Sequence, residues 1–282
     1  MVELISLGSG GGRYMTINQV FKTGGFRLHA GVKLHVDPGP GALLLTYQNG
    51  LNPLDLDCVV VTHCHPDHYN DGEVLVEAMT DHMTRRRGVL VGSESVLRGK
   101  EKFEPAISLY HKSKVEKIIC IRPNEVYELG DIRIEATPTQ HSDPTTFGLR
   151  FHTNSGIIGY TNDTQYFNGL SEHFRGCRVL IGNVTRPLDM RIRWHLCSED
   201  FISLLKHVKP ELAIMVHMGM LFLKYPPEKE AARIKAETGV ETLPGHAGLR
   251  VKVDEKIEVK RPIYKPTLET FARKELDHIG AE

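Results

Sequence analysis

The stretch VVVTHCHPDHYND, residues 59–71, decides how the rest of the chain is read. Its first part is a valine-rich run too short for a helix, the signature of a strand buried on both faces. Its second part sets His63, His65, Asp67 and His68 within six positions on the turn that follows. Imidazole nitrogens and a carboxylate form a donor set of borderline hardness, suited to a first-row divalent ion. A His-x-His pair can aim both rings at one ion, and the Asp-His pair after it can serve a second. A polar loop with incidental histidines is the bland alternative, and four donors in six residues weigh against it.

Outward from this stretch, strands are expected at VELISLG (2–8), GVKLHVDPG (31–39), GVLVG (88–92), VEKIICI (115–121), CRVLIGNV (177–184) and ELAIMVH (211–217). Glycine or Asn-Ser-Gly punctuation inside 127–134 and 147–161 gives hairpin signals. Helices are expected over NDGEVLVEAMTDHM (70–83) and SEDFISLLKHV (198–208), the latter with a serine cap and a stripe of Phe201, Leu204, Leu205 and Val208. PPEKEAARIKAETG (226–239) is the strongest helix, with prolines at its start and glycine at its end. Short strands close the pattern. No linker or internal repeat divides it, so residues 1–282 read as one domain, with 262–282 a C-terminal extension or tail.

The chain has 282 residues, 35 Lys+Arg against 35 Asp+Glu, and 40% hydrophobic residues. That apolar content excludes a disordered chain. Zero net charge gives no support to RNA or a membrane surface as partner, although a local basic patch stays open. The N-terminus lacks the basic and apolar regions of a signal peptide, and no run approaches the roughly 20 apolar residues of a membrane span. Five cysteines, odd in number and without a C-x-x-C, argue against a disulfide framework and for a cytoplasmic setting. The outlier is histidine, at 15 residues. His29, His35, His82, His111, His152, His173, His207 and His278 lack a ligand-like context and read as surface or packing residues.

THCHPDH resembles the T-H-x-H-x-D-H signature of the metallo-β-lactamase-fold hydrolases. Further elements follow in family order: His141 in PTQHSDPTTFGLRF, Asp163 in GYTNDTQY, and His217 in AIMVHMG. Asn162 stands where the family normally has glycine, and asparagine too tolerates unusual backbone angles. The resemblance runs to about residue 253. It implies an α/β (α+β) fold of four layers, αββα. It also implies one metal held by His63, His65 and His141, a second by Asp67, His68 and His217, and Asp163 bridging the pair opposite a hydroxide. Asp67 is counted among the catalytic groups as well.

His246, in LPGHAG, resembles a late histidine that serves some relatives as the last ligand, and is the alternative to His217. His195 precedes His217 by 22 residues. That pair resembles the one in the tRNA 3′-processing branch, where the later histidine binds metal and the earlier assists catalysis. Functionally His195 could steady an oxyanion or protonate a leaving group. Its bland reading is a capping or packing residue. The glycine turn LGSGGGR (7–13) lacks nucleotide-loop patterns and, by resemblance, lies beside the site. TRRRG (84–88) reads as a solvated helix end, with phosphate or RNA contact as the sharper alternative.

The chemistry implied is hydrolysis assisted by two divalent ions, Zn2+ first and Mn2+ or Fe2+ as alternatives. His65 argues against the diiron flavoprotein branch, which typically has glutamate there. A small-molecule or short phosphodiester, or a related phosphate ester, is the expected substrate. Only 21 residues separate His141 from Asp163. The long tRNA-gripping arm of the bacterial processing enzymes has no room there. The alternatives are a thioester, lactone or amide hydrolase, and a non-catalytic metal-binding protein; a homodimer stays open. Cys64, between two ligands, is expected to face away from the metals.

Overall fold

The computed structural model describes residues 1–262, so the expected tail lies outside the described residues except for Pro262. The first strands are β1 (Val2–Gly8), β2 (Thr23–His29), β3 (Lys33–Val36), β4 (Cys58–Val61), β5 (Arg87–Gly92) and β6 (Val115–Cys120). The middle of the chain gives β7 (Val126–Leu129), β8 (Ile132–Thr137), β9 (Gly148–Thr153), β10 (Gly156–Tyr160) and β11 (Cys177–Arg186). Then follow β12 (Leu196–Cys197), β13 (Leu212–Val216), β14 (Glu241–Pro244), β15 (Arg250–Val253) and β16 (Ile257–Lys260). One sheet has the order β16-β15-β1-β2-β3-β4-β5-β6 and the other β14-β13-β11-β10-β9-β8-β7, with β12 beside β11.

Period-two alternation explains the layers. In β4, Cys58 and Val60 join the core between the sheets, while Val59 and Val61 pack outward beneath the helix Gly72–Met79. In β11, Val179 and Ile181 point inward, while Leu180 and Val184 pack outward with Phe201 and Leu205 of the helix Ser198–Val208 and Ile234 of Pro227–Thr238. The result is helix, sheet, sheet, helix. β3 to β6 are parallel to one another, as are β10, β11, β13 and β14. Their carboxyl ends therefore open on a common edge of the sandwich, where parallel sheets present ligand-binding loops.

Three local expectations change. The helix Ser198–Val208 is capped by Cys197, whose N–H donates to Asp200 Oδ2 at 3.1 Å, so Ser198 is its first residue and not its cap. The helix after the histidine turn stops at Met79, because Asp81, His82 and Met83 take left-handed backbone angles. The glycine turn runs straight into a short helix, Gly12–Asn18.

Candidate metal centre

Each functional side chain sits just past the carboxyl end of a strand: His63 after β4, His141 after β8, Asp163 after β10 and His217 after β13. His63 Nε2 lies 3.0 Å from His65 Nδ1, and His141 Nε2 lies 3.1 Å from that same Nδ1. One ring proton can satisfy only one of these contacts. A shared ion satisfies all three nitrogens, and tetrahedral bonds of about 2.0–2.1 Å would space them by roughly 3.3 Å. Beside them Asp67 Oδ2 is 3.1 Å from His217 Nε2, and the buried His68 Nε2 has no hydrogen-bond partner among the described residues. Asp163 Oδ2 stands between the groups, 3.7 Å from His63, 3.8 Å from His141, 3.5 Å from His68 and 3.2 Å from His217. Three groups of metal-ligating type result: His63, His65, His141 and Asp163; Asp67, His68 and His217; and Asp163, His195 and His217, which shares a residue with each of the others. The donor chemistry fits divalent ions.

The outward ring nitrogens are held as ligand orientation requires. Nδ1 of His68 meets Asp37 Oδ2 at 3.0 Å, that of His141 meets the Trp194 carbonyl at 3.0 Å, and that of His217 meets Thr185 Oγ1 at 3.0 Å. His63 Nδ1 is 3.2 Å from Thr62 Oγ1. Asp37 also accepts from the Thr62 backbone and hydroxyl and from Tyr160. Asn183 donates to Asp163 Oδ1 at 2.7 Å, fixing the carboxylate whose other oxygen faces the histidines. Asp143 accepts from the Cys64 N–H at 2.9 Å and from Ser95, so it anchors the His63–His65 turn to the His141 loop. The glycine turn closes the cluster. Gly12 N–H donates to Asp67 Oδ2 at 2.7 Å, and a Cβ on Gly11 would fall 2.1 Å from the His217 ring.

Four positions of the cluster and its supports carry left-handed backbone. Asp37, Asn162, Trp194 and His217 all have φ between 51° and 73°, where side chains other than glycine are held only by surrounding structure. Asn162 tolerates it by donating to the Phe147 carbonyl at 2.7 Å.

Burial works against charge on every buried group of the cluster, yet the outcome differs by side. Burial and neighbouring imidazoles hold His63 well below the ordinary histidine range; burial also lowers His65 and takes His141 down to about 4. Against the same burial, Asp163 and Asp67 lift His217 to about 9 and hold His68 well above its usual value. Both carboxylates are correspondingly held low, with His68 and His217 overcoming burial.

His195 lies at the rim, 21% exposed, with Nε2 3.5 Å from Asp163 Oδ2 and its ring stacked on His217 at 5.6 Å. His246 does not join the cluster. Gly245 N–H bonds to Met215 O and ties its turn to β13, while His246 Nε2 lies 3.4 Å from Glu228 Oε1. Cys64 Sγ points to the Glu104 carbonyl, and burial pushes its thiol up to about 11. In the basic run, Arg87 donates to the carbonyls of Leu54 and Leu56 at the start of β5, the end remote from the cluster. Among the other histidines, His111 pairs with Glu73 and Glu77, His152 with Glu135, and the fully buried His35 with the Gly24 carbonyl; His278 lies outside the described residues.

Sequence reasoning passed over Asp37, Asp143, Tyr160, Asn183 and Thr185. Their partners lie 20 to 123 residues away, so no local spacing marks them. The available signal was position: Asp37, Asp143, Tyr160 and Asn183 each lie within a stretch already quoted.

Fold and cluster together define a metallo-β-lactamase-type sandwich. Residues 33–218 match the family model described as the beta-lactamase superfamily domain, and the chain belongs to that superfamily. An uncharacterized protein of Methanocaldococcus jannaschii is 46% identical over 255 residues, covering 89% of this chain and 95% of that protein. Among solved structures, the metallo-beta-lactamase fold protein YhfI from Bacillus subtilis superposes with a TM-score of 0.71 at 19% identity, over 88% of this chain and 98% of its own. A diphosphatase from the PhnP family superposes at 0.64 and 18% identity, over 88% and 96%.

Proposed function

We propose that the chain is a phosphodiester or phosphate-ester hydrolase working with two divalent ions, Zn2+ in the first instance. The observation that carries this reading is Asp163 Oδ2, set within 3.8 Å of ring nitrogens of His63, His141, His68 and His217. His63, His65 and His141 would hold one ion and Asp67, His68 and His217 the other, with Asp163 shared. Such ions supply Lewis acidity and bring the pKa of water from 15.7 to about 7.

The chain's own residues do the rest. Asp37, Thr185 and the Trp194 carbonyl fix the rings against rotation, so no reorganisation is needed during reaction. His195, partly exposed at the rim with Nε2 3.5 Å from Asp163 Oδ2, would serve as proton donor to the leaving oxygen. The likeness to a PhnP-family diphosphatase agrees with a phosphate ester. Acyl substrates remain the second reading. Turnover of bis-p-nitrophenyl phosphate, a thioester and a lactone by the metal-loaded chain tests the choice. Phosphodiester turnover above both acyl substrates supports it; acyl turnover alone overturns it.

A further inference from the structure

Two aromatic side chains, each with a cation laid over its ring, border the histidine cluster, and the hydrolysis above uses neither. Phe103 lies 5.7 Å from His65, ring centroid to centroid, with Lys102 Nζ 5.5 Å from its centre. Trp194 gives its carbonyl to His141, immediately precedes His195, and lies beneath the Arg193 guanidinium at 4.3 Å. Arg191, two residues earlier, is tied by Asp189 and Asp200, whereas Arg193 and Lys102 enter no ion pair among the described residues. The rim loop is stiffly built. Trp194 is held at φ 73°, its backbone N–H donates to Gln165 Oε1, and Leu188 backbone N–H donates to Glu230 Oε1. A preformed guanidinium–indole pair one residue from the reaction centre offers a flat stacking face and a positive charge together. Nucleobases stack on aromatic rings and guanidinium planes, and the phosphate beside them takes the charge.

We infer that Arg193 and Trp194 form a nucleobase subsite beside the scissile phosphate, so that the natural ester carries at least one nucleoside. Phe103 and Lys102, at the other end of the His65–His141 pair, receive the neighbouring base or phosphate. This rests on the phosphodiester reading and narrows it.

Trp194 is the chain's single tryptophan, so its fluorescence reads the subsite without turnover. In the metal-loaded full chain, adenosine monophosphate quenches it saturably, while ribose 5-phosphate and inorganic phosphate do not. Arg193→Ala weakens the adenosine monophosphate titration about tenfold. Arg193→Lys, which keeps the charge and loses the plane, weakens it as well, guarding against a misfolded alanine variant. No quenching, or equal quenching by ribose 5-phosphate, overturns the inference. Thymidine 5′-(p-nitrophenyl phosphate) and methyl p-nitrophenyl phosphate separate the two levels. Equal kcat/KM for both esters removes the nucleobase subsite and leaves the phosphodiester reading standing. Turnover of neither, with nucleotide quenching intact, removes the phosphodiester reading and with it the scissile-phosphate placement, leaving only nucleotide binding at Arg193 and Trp194.

Discussion

His63, His65 and His141 bring three imidazoles together with the one carboxylate of Asp163 at 3.7 and 3.8 Å, whereas His217 faces Asp67 and Asp163, and His68 faces both of these and Asp37. Burial holds the first group below the ordinary histidine range, whereas in the second Asp163 and Asp67 raise His217, and with Asp37 raise His68, against the same burial. The supports differ too. The first half hangs on one turn anchored by Asp143, and the second is clamped by the glycine turn and Asp37. The two halves are thus held by different parts of the chain.

The strongest break is Asp163→Asn, which removes the carboxylate common to both halves. Turnover should fall by at least about 10³-fold with the fold intact by circular dichroism. Next is Gly11→Ala. Gly11 has extended backbone that alanine adopts freely, so the effect is steric: the new Cβ meets the His217 ring. Metal analysis should show the second ion lost and the first retained, with turnover down about 100-fold. Equal loss of both ions would erase the distinction between the halves.

Asp143→Asn addresses the first half from outside. It weakens the anchor on Cys64 N–H and should lower affinity for the first ion by about 10–100-fold, read by chelator competition. The smallest effect is Cys64→Ala, expected to stay within about twofold in turnover, because the thiol faces the Glu104 carbonyl. With that thiol pushed up to about 11, iodoacetamide labelling at pH 7–8 should be slow and should quicken as pH rises toward 11. Rapid labelling at neutral pH would show a thiolate that the packing denies.

How far the sequence reaches follows from the same contrast. His63, His65, Asp67 and His68 are legible because one turn carries them all; the αββα layering was implied by the resemblance, since β4 is apolar on both faces and only its packing shows which residues face which layer. His141, Asp163 and His217 were placed by resemblance, since no local spacing joins residues 22 to 150 apart. The supports were not legible. Tyr160 reaches Asp37 across 123 residues and Asn183 reaches Asp163 across a parallel strand pair, contacts fixed by register alone. His246 shows the converse: a glycine-rich turn beside a strand looks like a ligand mount, yet His246 Nε2 lies beside Glu228 and outside the cluster.

The central claim is that Asp163 unites two unlike half-sites into one dinuclear centre. Metal analysis of the purified full chain, paired with phosphodiester turnover before and after chelation, tests it most directly. The account predicts two equivalents of divalent ion per chain, activity abolished by chelation, and recovery with Zn2+ or Mn2+. One equivalent at saturation, or full turnover in the metal-free chain, would contradict it.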